Sequence, residues 1–565
     1  MKRGLLALGY LACSLLSLNL LGQDSTTRTA LDSAAKTIRQ EQIRAHMRFL
    51  SDGLLQGRAP GTPGYDVAAS YVASQLEGMG LLPGVSGKWF QSVALQKAVV
   101  DSAASSLVLT VNGKRQRLAD AKDYVLAARF VNSPGKNSRS QSDVGAPVVF
   151  VGFGVTAPDE KYDDFAGVDV RGKLILEIFG APATFPSTER AYYSDTTVKA
   201  KIALAHGAVG TLLILMPADW KLLPWDWMVS QVPGGEMHWQ ENNGAPHDYF
   251  PELKGNATFS PEGAKLLFAG APRTVEQVFA TAQAGQPQSF AMPISVRIHS
   301  VASQTVVTSS NIVAELEGSD PALRGEYVVF TAHVDHVGIC PPVGGDNVCH
   351  GAVDNGSGTA AVLEIARAFA ALPKPPRRSV LFVFVTGEEM GLLGSDYFAH
   401  FPTVPLKSIV ADINIDGIAG TYYSMNDVVA LGAEHSTLGN EVAAAGKLLG
   451  YDISPDPMPE VVAFIRSDQY SFVLQGVPSV YIVDGIHATD PKVNGMEINK
   501  KWADTVYHTP LDSMNQPFVW ESIAKATVMN FLIGYEVAQH DPAPAWNAND
   551  FFGATFGPRH VAGGQ

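Results

Sequence analysis

The chain has little cysteine, little charge and almost no long apolar runs. Three cysteines in 565 residues rule out a disulfide-scaffolded architecture and leave no CxxC pair for thiolate redox chemistry or a cysteine metal site. Charged residues make up 17% of the chain, 41 basic against 55 acidic for a net charge of −14. The densest basic cluster is the short Lys114-Arg115-Gln116-Arg117, so a phosphate backbone has little to hold and nucleic acid is not an expected partner. Beyond residue 22 no stretch is long and apolar enough to span a bilayer. What remains is 46% hydrophobic, with 53 Gly and 35 Pro scattered without a repeat. That is the composition of a loop-rich globular protein with one large or two to three ordinary domains.

The one long apolar run, Gly4 to Leu21, follows Lys2-Arg3 and leads through Gly22 into Gln23-Asp24-Ser25. A charged start, an apolar stretch and a small residue predict a signal peptide over residues 1–22, and hence an exported protein, periplasmic or extracellular. An uncleaved anchor is the alternative, since about 20 apolar residues can cross a bilayer. Cys13 lies in this segment. Cys340 and Cys349 are nine apart in a Gly- and Pro-rich stretch, and export to an oxidising compartment predicts a bridge between them.

Three segments follow. Residues 23–140 open with apolar positions at helical spacing (Ile43, Met47, Leu50, then Val67, Tyr71, Leu76) on either side of the turn Gly57-Arg58-Ala59-Pro60-Gly61-Thr62-Pro63-Gly64. The polar, Ser-rich stretch 132–143 reads as a connector. Residues 141–300 contain strands at 147–151, 173–177 and 210–216, a helix over 197–207, and a loop in which Trp220, Trp225, Trp227 and Trp239 either line a groove or pack onto a neighbour. Residues 301–565 alternate strands and helices. Strands such as Val380 to Val385 are apolar on both faces, which predicts an α/β fold: a mixed, mostly parallel sheet covered by helices on both faces.

The chemistry is written at the ends of those strands. Five stretches place metal-competent residues there: His333-Val334-Asp335-His336, Asp354-Asn355, Gly387-Glu388-Glu389, Asn414-Ile415-Asp416-Gly417 and Tyr507-His508-Thr509-Pro510. In an open α/β sheet the strand carboxyl ends converge on one crevice. Singly, each has an ordinary explanation as a core histidine, helix cap or turn residue. Together they supply the imidazole and carboxylate donors that zinc takes, and two adjacent cations can polarise a carbonyl and acidify a water.

The ordered set HxD, DN.SG, GEE.GL.GS, NIDG and YHTP resembles the secreted co-catalytic two-zinc aminopeptidases, in particular the longer bacterial members with an inserted protease-associated (PA) domain. The resemblance runs from Leu50-Ser51-Asp52 to His508-Thr509-Pro510. It implies a zinc exopeptidase fold with a β-rich PA-like insert at 141–300, peptide or protein substrates, and two zinc ions per chain. His333, Asp354 and Asp416 would bind one zinc and Asp354, Glu389 and His508 the other, with Asp354 as the bridge. Glu388 would be the general base and Tyr507 would stabilise the oxyanion. Asp335 is expected to hold the imidazole of His333, because alternate strand residues share a face, and Asp512 to do the same for His508. Arg466 and Asp468 are substrate-side candidates, with Gln469 standing where the family pattern leads one to expect His.

Two other readings compete. Zinc carboxypeptidases and dipeptidases use a similar ligand order but insert a lid between the last two ligands, and the 91 residues between Asp416 and His508 are largely needed to finish the sheet. A peptidase-fold binding protein that has lost catalysis would usually have lost ligands or the base, and all are present here. The sequence leaves the oligomeric state open.

Overall fold

A computed structural model describes residues 25–557 except 136–137, 222 and 287–288. The signal-like segment 1–22, with Cys13, lies outside the described residues. The chain divides into two compact units, one formed by residues up to Val93, Thr308–Met458 and from Arg466 onward, the other by Ala94–Val307 with Pro459–Ile465.

The first unit holds every strand-end motif. Its sheet contains the last residues of β1 (Phe290–Leu316), then β2 (Tyr327–His333), β3 (Ser379–Val385), β4 (Ile409–Asn414), β5 (Asp427–Leu431) and β6 (Ser479–Asp484). The spatial order is β1-β3-β2-β4-β6-β5. β3, β2, β4 and β6 run parallel, while β1 is antiparallel to β3 and β5 is antiparallel to β6. The register aligns His333 with Val385, Thr331 with Asn414 and Asn414 with Tyr481, so the motifs leave the sheet at one edge. β2 lies where the chain first adds a strand on one side, β3, and then on the other, β4; such a reversal opens a crevice at the strand ends.

The period of two along β2 divides the core. Val328, Phe330 and Ala332 face a large cluster with residues of helices α1 (Gln40–Leu50), α2 (Pro63–Gly78), α3 (Gly356–Ala370) and α5 (Trp520–Gln539). Val329 joins Leu381, Val383 and Val385 on the other face, with Phe398 of α4 (Leu393–His400) and Phe472. On the first face Phe330, Phe369, Phe382 and Phe531 mesh with centroid separations of 5.0 to 6.0 Å, each such ring contributing roughly 1.5–3 kcal/mol when fully buried. Gly534 lets α5 approach this cluster, since a Cβ there would overlap the Phe330 ring. The expected α/β sheet with helices on both faces is therefore present, as are the expected strands and helices of this region. The strand β5 was not anticipated, because Asp427-Val428-Val429-Ala430-Leu431 is too short to stand out between loops.

The second unit begins at Ala94 rather than near residue 141 and ends at Val307 rather than 300. The reason is pairing: Leu107–Val111 bonds antiparallel to Ile294–Ile298, which ties residues before 140 into this unit's sheet. The stretch expected to be a connector is partly a strand, Ser138–Phe150, paired with Phe290–Gln304. Leu174–Ile178 and Gly210–Ile214 run parallel beside it, over a core of Val149, Val151, Phe165, Ile175 and Ala203. The Trp-rich stretch is not one irregular loop. Trp225 opens a helix to Gln231, and Trp239 ends the strand Glu236–Trp239, where it is buried and stacked on His247. Among the described residues no helix is long and apolar enough to cross a membrane.

The Cys340–Cys349 bridge is present, with Cα atoms 5.9 Å apart. It closes a small hairpin, Ile339–Val343 against Asp346–Val348, between β2 and α3. Closing a loop of this length contributes up to ~3 kcal/mol by restricting the unfolded chain. A non-reduced digest should yield the linked pair of peptides by mass spectrometry; two freely alkylatable thiols in the native protein would contradict the bridge.

Candidate metal centre

His333 is the last residue of β2 and is fully buried. Its Nε2 lies 3.1 Å from Asp416 Oδ1, 3.4 Å from Asp354 Oδ1 and 3.8 Å from Glu388 Oε2. Across the crevice His508 Nε2 lies 3.1 Å from Asp354 Oδ2 and 2.9 Å from Glu389 Oε2. Asp354 thus turns one carboxylate oxygen toward each histidine, which is the arrangement a bridging ligand needs. Donor atoms of His333, Glu388 and Asp416 form one tight group, and those of His336, Asp354, Glu389 and His508 a second, each within 4.8 Å. Imidazole and carboxylate donors converging in this way fit zinc.

The supports are specific. The Asp512 carboxylate accepts the backbone N–H groups of Val353 and Asp354 at 2.9 and 3.0 Å, fixing the bridging residue from behind. Asn355 caps α3 through Gly358 N and also accepts from Gly417 N at 3.0 Å, while its amide donates to Ile415 O at 2.8 Å. One buried side chain therefore ties the Asp354 loop to the Asp416 loop. The Tyr481 hydroxyl donates to the Asp416 carbonyl. Glu388 and Glu389 open a 3₁₀ turn between Gly387 and Gly391, both at positive φ, which lets the chain reverse immediately after β3.

Electrostatics separate the two glutamates. Burial raises the Glu388 carboxyl well above the usual range, with Asp416, Glu389 and Asp468 adding repulsion that His333 only partly offsets. Burial acts the same way on Glu389, with Asp354 adding to it, but His508 and His336 outweigh both and bring the group down to about 2. The histidines respond in kind. Desolvation opposes their charging, yet the surrounding carboxylates raise His333 well above its ordinary value and His508 to about 10.

The expected residues come together with three differences. Asp335 does not reach the imidazole of His333 with its carboxylate, which stands 3.9 Å from Nδ1; its carbonyl faces that nitrogen at 3.2 Å. β2 ends at His333, so strand alternation no longer governs Asp335, and its carboxylate instead accepts the Glu388 and Glu389 N–H groups at 3.3 and 3.4 Å. Asp512 likewise grips the Asp354 loop where a contact to His508 was expected. Asp468 is fully buried at the start of the helix Gln469–Val473, where desolvation lifts its carboxyl to about 7, so a substrate cannot meet it from solvent. Arg466 is exposed, and Tyr507 stacks on the His508 ring at 3.8 Å while remaining 38% exposed.

His336, for which no role was expected, also belongs to the site. Its Nδ1 lies 2.6 Å from Glu389 Oε1 and 3.8 Å from Asp354 Oδ2. The available signal was its position directly after the His-x-Asp motif.

Residues 311–532, which carry all the ligand candidates and Glu388, match Peptidase family M28. Curated relatives include the probable leucine aminopeptidase 2 of Aspergillus oryzae, 28% identical over 218 residues, and the aminopeptidase YwaD of Bacillus subtilis, 28% identical over 210. Each alignment covers 37% of this chain and 40% of the relative, so the chain is aligned with less than half of either protein. Among solved structures, an aminopeptidase from Aneurinibacillus sp. strain AM-1 has the same fold, with a TM-score of 0.52 at 19% identity over 90% of this chain and 96% of that one.

Proposed function

We propose that the chain is an exported two-zinc aminopeptidase that removes residues from the amino end of peptides. The observation that carries this reading is Asp354, one carboxylate placed between two donor groups, with Glu388 beside the first. His333 and Asp416 would hold one zinc, Glu389 and His508 the other, and Asp354 both. Zinc bound there would polarise the scissile carbonyl and acidify the attacking water. Glu388, at the edge of its group with a raised proton affinity, takes a proton from that water and passes it to the departing amine. The Tyr507 hydroxyl donates a hydrogen bond to the developing oxyanion. Asp335 and Asp512 act through the backbone they hold. The names of the relatives support the reaction class, and the signal-like residues 1–22 together with the disulfide support export. The second unit, interrupting the peptidase unit with a β-rich core of its own, is read as a PA-like insert.

Direction of attack follows from charge. The crevice is lined by Asp354, Glu388, Glu389 and Asp416, which attract a free ammonium group, whereas a carboxypeptidase needs a fixed cation for the terminal carboxylate. N-acetylation of a good peptide substrate should abolish cleavage and C-terminal amidation should change it little. The reverse pattern would favour a carboxypeptidase, with Arg466 as the carboxylate anchor.

The two glutamates should part company on substitution. Glu388→Gln should retain zinc while lowering kcat by roughly 10²- to 10⁴-fold, with a smaller effect on KM. Glu389→Gln should lose zinc. Metal analysis alongside steady-state kinetics checks both, and exchanged phenotypes would mean that the roles of ligand and base are reversed.

A further inference from the structure

Arg58 lies in the Gly- and Pro-rich turn between α1 and α2, far in sequence from every ligand candidate. Its side chain is nonetheless 1% exposed, and no described carboxylate lies within ion-pair distance of it. A guanidinium buried without such a partner is costly, so where its donors go is informative. Nε donates to Val334 O at 2.8 Å, one Nη to Leu50 O and to His350 O at 2.7 Å, and the other Nη to Gly351 O at 3.0 Å. Val334 stands between His333 and Asp335, and Gly351 lies three residues before Asp354. The backbone adds to the clamp, with Gly338 N donating to Gly57 O at 3.1 Å and His336 N to Arg58 O at 3.3 Å. Gly57 and Arg58 both adopt positive φ, at 70° and 51°. A Cβ on Gly57 would strike Gly338 and the Cys349 carbonyl, so the turn needs glycine there to come this close.

The surrounding charge points the same way. The groups acting most strongly on the guanidinium are Asp512, Asp354, Asp335 and Glu389, in that order. Two of these are ligand candidates, and two hold the backbone of ligand candidates. Burial outweighs their attraction and lowers the guanidinium to about 10, which leaves it charged at neutral pH.

We propose that Arg58 is a positioning residue of the metal centre: its planar fork pins the carbonyls of Val334, His350 and Gly351, and so holds His333 and Asp354 at the separation from which they share a metal. The proposal rests on the two-zinc reading. It differs from a purely electrostatic role, because a lysine would keep the charge but cannot present a rigid fork to four carbonyls on three segments.

The test compares Arg58→Lys and Arg58→Met with the wild-type protein. Zinc affinity is measured by competition with a chromogenic chelator, and the thermal midpoint of each zinc-free protein is recorded separately. Both variants should bind zinc at least about tenfold more weakly than wild type while still folded at the assay temperature, the scale expected when a partner behind a metal ligand is removed. Affinity restored by Arg58→Lys would assign the role to charge and overturn the proposal. Wild-type affinity in both variants with only a lowered midpoint would also overturn it, as would failure of both to fold, since either would make Arg58 a residue of general stability. Absence of zinc binding by the wild-type protein would overturn the two-zinc reading and this proposal with it, an outcome distinct from wild-type affinity in both variants, which overturns the account of Arg58 alone.

Discussion

The structure of the first unit turns on one carboxylate with two faces. Asp354 offers one oxygen to His333 and the other to His508, and a group in that position serves two cations only if its backbone cannot drift. Asp512 holds its N–H, Asn355 ties the next residue to the Asp416 loop, and Arg58 fixes the carbonyl three residues before it. The need for rigidity also accounts for the parallel sheet beneath, because strand ends that leave a buried, fully bonded edge are the least mobile places from which to hang ligands.

Crowding acidic groups together is the price of such a site. Asp335, Asp354 and Asp512 are buried close together, and Glu388, Glu389 and Asp416 are largely enclosed. Burial, with repulsion from neighbouring carboxylates added to it, raises the proton affinities of Glu388, Asp335 and Asp512. The protein's own charges relieve this only in part. His333 and His508 take up positive character, and Arg58 supplies a buried guanidinium that these carboxylates act on. The remaining negative charge suits divalent metal.

Much of this was legible in the residues. The strands Tyr327–His333 and Ser379–Val385 announce themselves as short apolar runs, and the convergence of their polar ends follows from parallel order. Which donors share a metal is not a matter of periodicity; that pairing came with the family resemblance. What could not be read was anything set by the paths of loops. Asp335 obeys strand alternation only while there is a strand, and the strand stops two residues earlier. Asp468 looks like a surface residue in Arg466-Ser467-Asp468, yet the helix that follows it is wholly buried. The unit boundary moved from 141 to Ala94 because strand pairing joins residues almost two hundred apart, which no local composition records. His336 and Arg58 were visible as letters and silent as partners, since each acts through contacts with distant segments.

Crystals of the zinc-loaded protein, measured on both sides of the zinc absorption edge, test the central claim most directly. The account predicts two anomalous peaks in the crevice, one between His333 and Asp416, the other between Glu389 and His508, with one oxygen of Asp354 directed at each. A single peak, or two peaks with Asp354 bound to only one, would contradict it.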